Sequence, residues 1–359
     1  MNKRTSFLYH ILAIAIALNL SCIKQNGVAT PKKFKVSVMT YNVENLFDTT
    51  HDDGKLDFTF LPMEEKKKSK EQMAYCKTVK VPKWKDQCMY LDWSKSALVM
   101  KKKNLANVIL QVNHGKGPDI LILQEVENLK VLKDLVDHEL ADAQYTTVLL
   151  VEGKDVRGID TAVVSRLPVG GEVVLHEVPF QQMAKSTLKD TRGILEVPLL
   201  LPDGEKVFVY SNHFPAPFHS RDYRIQAYQF LGSLMEKKGK DVIQIAGGDF
   251  NTPSDEDAKY GILSQNAEKD WIVAHKRAYK GIQGSSYYPK NKTWSFLDMI
   301  LLSKNLEDGK GWEWIPSSFV VANQASGQLD EHGFPQSFDT RSGIGASDHL
   351  PVYVELEHP

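Results

Sequence analysis

Asp119-Ile120-Leu121-Ile122-Leu123-Gln124-Glu125 decides how the rest of the chain is read. Four consecutive apolar residues bounded by polar ones give a strand no solvent face, so it has to be covered on both sides. The run closes on a carboxylate. A charge at the end of a buried strand is costly unless it meets a cation or a hydrogen-bonding partner, which makes Glu125 the first candidate functional residue.

On the amino-terminal side, Phe34-Lys35-Val36-Ser37-Val38-Met39-Thr40-Tyr41 alternates and is β-branched enough to form a first strand, running into Asn42-Val43-Glu44. Ser94 then starts a helical pattern in which Leu98, Leu105, Val108, Ile109 and Val112 recur, ending at Asn113-His114-Gly115. Past Glu125, Glu127 to Leu140 reads as a second amphipathic helix. The middle of the chain is strand-rich, at 145–151, 161–164, 171–178, 194–200 and 206–211. Strands that follow one another without helices pair antiparallel, so the sheet is expected to be mixed. Arg221 to Lys237 is a third helix with Ser220 as its cap, and Val242 to Gly248 is a strand ending at Asp249-Phe250-Asn251. The last runs are Phe296 to Leu302 and Pro351 to Glu355. The class is α/β.

Between His51 and Tyr90 the periodicity breaks down into charge and turn residues, including Lys66-Lys67-Lys68. We read 51–93 as an insertion over one edge of the site, its lysines forming a solvated face.

With 359 residues, 42% hydrophobic and 25% charged, the chain can bury a large core in one domain or two. A formal net charge of −1 supplies no bulk positive field, which disfavours a general nucleic-acid binder. The amino terminus reads as an export signal: Lys3 and Arg4, the apolar run Phe7 to Leu18, then Leu20-Ser21-Cys22. That run is shorter than the roughly 20 residues a membrane-spanning helix needs. Leu-Ser-Cys in this place resembles the lipobox of bacterial lipoproteins. The resemblance implies a signal peptide at 1–21, a lipidated Cys22, a linker at 22–33 and a domain over 34–357. The protein would then be exported and held by its lipid anchor at the outer membrane or cell surface. Cys76 and Cys88 remain, and in an oxidising compartment two cysteines close in sequence are expected to pair as a disulfide.

Polar groups recur where strands run out: Asn42 with Glu44, Glu125, Asn212 with His213, Asp249 with Asn251, Asp298, and Asp348 with His349. Ligands collect at such ends in open α/β architectures. Each residue has a plainer use as a turn former, a helix-terminal carboxylate or a buried histidine. Coincidence of all of them at six strand ends argues for a site. The donors are oxygen and imidazole, and oxygen-rich sites select hard cations such as Mg²⁺ or Mn²⁺.

Met39-Thr40-Tyr41-Asn42, Gln124-Glu125, Asn212-His213, Gly248-Asp249-Phe250-Asn251, Leu297-Asp298 and Ser347-Asp348-His349 occur in an order that resembles the endonuclease/exonuclease/phosphatase superfamily. That group includes pancreatic-type deoxyribonucleases, abasic-site endonucleases, bacterial sphingomyelinases and inositol polyphosphate phosphatases. The resemblance spans Phe34 to Glu355 and implies a four-layer α/β/β/α sandwich, two mixed sheets face to face with helices outside. It implies metal-dependent phosphoester hydrolysis, with Glu125, Asn42 and Asp348 at the cation and His349 as general base oriented by Asp298. Asp249 and Asn251 would hold the water and the phosphoryl group, and His213 would donate to a non-bridging oxygen.

His213 sets the chain apart from the abasic-site branch. Asn212, Arg192 and Arg157 are candidate substrate contacts, with ordinary surface roles an equal alternative for the arginines. The implied partners are a phosphoester, whether nucleic acid, phospholipid head group or small molecule, and a membrane through the anchor. The protein is expected to be a monomer. The competing reading is a catalytically idle binding lipoprotein on the same fold.

Overall fold

In the strand Phe34–Leu46 successive side chains enter different cores: Val36 and Val38 pack in one, Met39, Tyr41 and Val43 in another. Ile120 and Ile122 part from Leu121 and Leu123 in the same way. Side chains alternate across a strand, so a strand that is apolar at every position lies between two packed layers. The computed structural model describes residues 33–188, 191–278 and 283–358. The export signal and Cys22 lie outside the described residues.

Fifteen strands are described: β1 Phe34–Leu46, β2 Ile120–Val126, β3 Thr147–Leu150, β4 Asp160–Ser165, β5 Val174–His176, β6 Ile194–Leu200, β7 Lys206–His213 and β8 Ile243–Asp249. They continue with β9 Trp271–Val273, β10 Ser286–Tyr288, β11 Thr293–Ser295, β12 Asp298–Ser303, β13 Glu313–Trp314, β14 Val320–Val321 and β15 Val352–His358. The first sheet runs β13-β15-β1-β2-β4-β3 with β14 also on β15, and the second runs β5-β6-β7-β8-β12-β9. Both are mixed: β1 and β2 are parallel, as are β7 and β8, and the other neighbours are antiparallel. β10 and β11 form a separate hairpin.

The sheets pack face to face over a core in which Val36, Val38, Ile120 and Ile122 meet Val207, Val209, Ile243, Ile245 and Ile300. Helix Lys95–Leu110 covers the outer face of the first sheet through Leu98, Leu105, Val108 and Ile109, and Arg221–Lys238 covers the second through Ala227, Tyr228 and Leu231. Burying each such large side chain contributes ~1.5–3 kcal/mol. Both helices begin as their sequences dictate. Ser94 accepts from Ala97 N and Ser220 from Asp222 N, each satisfying an amide of the first turn. The result is a sandwich with helices outside two mixed sheets.

The segment 51–93 differs from its reading as turns with a solvated lysine face. It folds into α1 Met63–Lys68, α2 Lys70–Thr78 and α3 Pro82–Tyr90, with Cys76 and Cys88 bonded between α2 and α3. Lys66 is buried and its Nζ donates to the carbonyls of Thr59 (2.7 Å), Cys88 (3.1 Å) and Leu91 (2.7 Å). One ammonium thus serves carbonyls on both sides of α1–α3, sharing Cys88 O with Gln72 Nε2 (2.8 Å). Lys67 and Lys68 remain exposed. We number the next helix, Lys95–Leu110, α4. The helix expected over 127–140 is regular only at Leu129–Asp134 and then widens to a π turn.

Candidate active site

Strand direction explains why residues so far apart in sequence converge. Asn42, Glu125, His213 and Asp249 lie at or near the carboxyl ends of the parallel strands β1, β2, β7 and β8. β12 and β15 run antiparallel to their neighbours β8 and β1, so Asp298 and the Ser347-Asp348-His349 segment reach the same end at strand beginnings. Asp298 is paired directly with Asp249. It opens β12, two residues later than the start of the run Phe296 to Leu302, and so stands at a strand end.

Two breaks in register turn the carboxylates into the cleft. Pairing shifts between Asn42 and Leu46 on β1, and between Gln124 and Val126 on β2. Glu44 (φ 48°), Asn45 (φ 59°) and Glu125 (φ 64°) occupy the left-handed region there, as does Asn251 (φ 50°) in the β8 turn. An L-residue in that region costs ~1–2 kcal/mol, and bulges of this kind re-aim side chains at the ends of sheets. Gly248 is required by close approach, since a Cβ there would lie 2.1 Å from the carbonyl oxygen of Asn212.

The carboxylates are linked by amides. Asn42 Nδ2 donates to Glu125 Oε1 (3.3 Å) and to Asp249 Oδ2 (3.1 Å), while its oxygen accepts from Glu44 N (3.0 Å). Expected to offer an oxygen to a cation, Asn42 as placed braces one carboxylate from each sheet. Asn45 N donates to Glu125 Oε2 (3.1 Å), and Phe338 N to Glu44 Oε2 (3.3 Å). Burial, then the charge of Asp348, pushes Glu44 up to about 7. Burial raises Asp249 to about 7 as well, with Asp298 and Glu125 adding to the effect against His349 and the Asn251 amide. Crowded carboxylates of this kind are held below full ionisation until a cation relieves them.

His349 faces this group. Its Nδ1 donates to Asp298 Oδ2 (2.7 Å), and Nε2 points toward Asp249 Oδ2 (4.0 Å) and Asp348 Oδ1 (3.8 Å). Asp298 is fully buried and its Oδ2 also accepts from Ser285 Oγ (2.7 Å). Ser347 Oγ donates to Asn42 O (2.7 Å) and accepts from His349 N (3.1 Å), so the small residue of the motif ties the histidine to β1. Burial works to lower the imidazole, but the charge and hydrogen bond of Asp298 dominate and hold it well above the usual histidine range.

His213 Nε2 lies 3.8 Å from Glu125 Oε1 and 3.7 Å from Asp249 Oδ2. Burial, then the charges of Arg192 and Arg157, hold it well below the usual range, so it is a neutral donor at pH 7. The two arginines share Asp155: Arg192 Nη2 is 3.0 Å and Arg157 Nε 3.7 Å from its carboxylate. Arg192 keeps a buried Nε without a hydrogen-bond partner and lines a small cavity of about 10 Å³ with Thr191, His213 and Pro215.

Not every candidate faces the cleft. Asn212 is wholly buried and its Nδ2 donates to Tyr210 O (2.9 Å) and Gly247 O (3.2 Å). Alternation along β7 directs it away from the face that His213 occupies, and it braces β7 to β8 instead of touching substrate. Asn251 Nδ2 is engaged by Phe214 O (3.0 Å) while its backbone N donates to Asp249 Oδ1 (2.8 Å). Sequence reading passed over Asp155, Ser285 and Lys101. Lys101 carried a signal, because it falls on the apolar stripe of α4 between Leu98 and Leu105.

Among the described residues no three His, Cys, Asp or Glu side chains close into a ligand set by themselves. The donor chemistry nevertheless fits a hard cation of the Mg²⁺ type, which takes one or two carboxylates plus substrate oxygens and keeps several waters. Glu125, Glu44 and Asp348 are the residues that would hold it. Asp348 has 56% of its side chain exposed at the cleft mouth.

Residues 77–358 match the endonuclease/exonuclease/phosphatase family. Among solved structures, the chain is similar to an endonuclease/exonuclease/phosphatase family protein of Bacteroides thetaiotaomicron at 14% identity and a TM-score of 0.55, covering 91% of this chain and 99% of that one. It is similar to D. rerio TDP2 complexed with a single-strand DNA product at 15% identity and a TM-score of 0.53, over 90% and 98% of the two chains. Truncated Caenorhabditis elegans TDP2 shares 17% identity at a TM-score of 0.51, over 91% and 98%. No curated protein matches the chain.

Proposed function

The chain belongs to the endonuclease/exonuclease/phosphatase family, whose members are generally phosphoester hydrolases, and on that premise we propose that it hydrolyses a phosphodiester or phosphomonoester with a divalent cation, Mg²⁺ or Mn²⁺. The observation that carries this reading is the His349–Asp298 pair, set at 2.7 Å, with Nε2 turned to the carboxylates of Asp249 and Asp348. Charge from Asp298, Asp348 and Asp249 favours the protonated ring, and a cation held by the neighbouring carboxylates would offset part of that charge. Once neutral, an imidazole whose Nδ1 is fixed by a buried carboxylate has Nε2 free to take a proton, the arrangement a general base needs.

His349 Nε2 removes a proton from water as its oxygen forms a bond to phosphorus, and the bond from phosphorus to the leaving oxygen breaks. No covalent intermediate with the chain is required. Asp249, held by Asn42 and the Asn251 amide, orients that water. The neutral His213 donates to a non-bridging oxygen as charge builds on it. Arg192 and Arg157, whose charges act on His213 and which are tied to Asp155, would draw the phosphate in. Glu125 and Asp348 with Glu44 would hold the cation, whose charge would polarise the phosphate and steady the leaving oxygen.

Substrate classes to test are nucleic acid, phospholipid head groups and small phosphoesters. The fold shared with the DNA-product complex of D. rerio TDP2 puts single-stranded DNA first on that panel. Affinity for DNA would rest on local cations and fall with salt, whereas a flat salt response points to a small or lipid substrate. We also propose that the chain is exported and anchored through lipidated Cys22. The Cys76–Cys88 bond supports an oxidising destination, and no helix among the described residues is long and apolar enough to cross a membrane. Loss of membrane fractionation in Cys22→Ser would bear this out.

The function is tested on bis-p-nitrophenyl phosphate, single-stranded and plasmid DNA, phospholipid and phosphomonoesters, each with Mg²⁺, Mn²⁺ or EDTA. Metal-dependent turnover that His349→Ala abolishes is the expected result. Silence across the whole panel, or turnover that survives His349→Ala, sinks the reading.

A further inference from the structure

Helix α4 carries a lysine where a core residue belongs. Lys101 follows Leu98 by three positions and precedes Leu105 by four, on the stripe that covers the first sheet, and it is 1% exposed. Its Nζ donates to Glu44 O (2.9 Å) and Ala346 O (2.6 Å), and stands 5.6 Å from the centre of the Phe338 ring. One turn on, Asn104 Nδ2 donates to Gly343 O (2.8 Å) and Gly345 O (2.7 Å). These carbonyls belong to two places only: the bulge at the end of β1, and the loop that runs directly into Ser347-Asp348-His349.

Packing alone does not account for a buried ammonium. Apolar residues of similar volume in place of a buried charge are often neutral or stabilising, so a lysine here needs another use. Burial lowers its pKa, while the charges of Glu44, Asp348 and Glu125 act to keep it protonated. Its two backbone contacts join segments separated by 57 and 245 residues from the lysine: Glu44 lies in the break of β1–β2 pairing, and Ala346 lies outside the strands, where its N donates to Gln336 O (2.9 Å).

We propose that Lys101, seconded by Asn104, is a positioning residue for the hydrolysis proposed above. Gripping the Glu44 and Ala346 carbonyls fixes the approach of the Ser347-Asp348-His349 segment to β1, and with it the bearing of Asp348 and His349 on Glu125 and Asp249. The inference rests on the phosphoesterase reading for its catalytic consequence.

The test compares the full-length chain with Lys101→Met, Lys101→Arg and Asn104→Ala. With bis-p-nitrophenyl phosphate and Mg²⁺, kcat of Lys101→Met is expected to fall on the order of 10²-fold with KM changed less than about threefold, because misplacement by ~1 Å has that effect on rate. Lys101→Arg, which keeps charge and donors, should recover at least about a tenth of the activity. Hydrogen exchange without metal or substrate should quicken in peptides covering 342–349 and 43–46 for Lys101→Met, and in 342–349 for Asn104→Ala. A merely structural lysine would lower the melting temperature and leave kcat and these exchange rates unchanged below it, and that outcome overturns the inference. If Lys101→Met does not fold, Asn104→Ala decides by the same two readouts. If the native protein hydrolyses nothing, the phosphoesterase reading fails, and exchange alone still decides whether Lys101 holds the loop.

Discussion

His349 Nδ1 sits 2.7 Å from Asp298 Oδ2, although the two residues are 51 positions apart and lead into strands of different sheets. Asp298 is fully buried, accepts from Ser285 Oγ on the same oxygen, and can therefore orient the ring without competition from solvent. Asp298→Asn should keep the shape of this contact and lose its charge. We expect kcat to fall about 10²–10⁴-fold, the usual worth of a positioned base, with Mg²⁺ affinity by calorimetry little changed. A kcat within threefold of the native value would assign the base elsewhere.

Glu125 holds its carboxylate at φ 64°, in a backbone region that disfavours any Cβ. Glu125→Gly and Glu125→Ala both remove the carboxylate and should both be inactive. Their stabilities should differ, the glycine variant being more stable by ~1 kcal/mol because it alone adopts that φ without strain. Denaturant melts of the two variants measure the difference directly, and equal midpoints would mean that the bulge relaxes.

Glu127 is buried beside Asp48, Asp52 and Asp57, with His51 and Lys130 bound to Asp57 and Asp48. Burial, set against the Asp48 amide and reinforced by those carboxylates, pushes it up to about 9. A carboxyl whose folded pKa exceeds its unfolded value stabilises the fold at low pH, and that contribution is lost as pH climbs toward 9. The native protein should lose stability between about pH 5 and 9. Glu127→Gln, which can still accept from Asp48 N, should flatten that loss and melt at least ~2 °C higher than native at pH 9. Parallel pH profiles for the two proteins would contradict this.

The layered fold was legible because β2 opens on four consecutive apolar residues beside the alternating β1, and a strand between two layers tolerates that pattern. The polar groups were legible because each follows or precedes such a run. Direction was not: whether Asp298 opens or closes its strand depends on β12 running against β8, a long-range fact. Nor was parity, since Asn212 and His213 are equally polar and only the face that β7 turns to the cleft separates them. Lys66 reads as surface charge and Lys101 is passed over because their partners are backbone carbonyls, which sequence does not distinguish. The helices of 51–93 escaped notice because they are short and charged, and are closed by Lys66 and the Cys76–Cys88 bond.

At Gly247 the two sheets approach each other closely beneath the site. A Cβ added there would meet Ile122 Cδ1 at 2.6 Å and Thr40 Cβ at 3.3 Å, both from the opposite sheet. Gly247→Ala must drive Ile122 from its rotamer or part the sheets, at a cost of ~1–3 kcal/mol. We expect a lower melting temperature and a kcat reduced roughly tenfold, short of the ~10² that a full ångström of misplacement brings. Native kcat in a destabilised variant would show that Ile122 alone gives way.

The reacting groups are divided between the sheets: Glu44, Glu125, Asp348 and His349 come with one, His213, Asp249 and Asp298 with the other. Asn42, the His349–Asp298 contact, the Ser211 Oγ to Leu123 O bond and the apolar layer between the sheets set their separation. Protein interiors are packed as tightly as organic crystals and compress little. On the proposed function, the thickness of the Val38, Ile122, Val209 and Ile245 layer is therefore a ruler against which catalysis would be calibrated, with residues that never meet a substrate setting the tolerance of the machine.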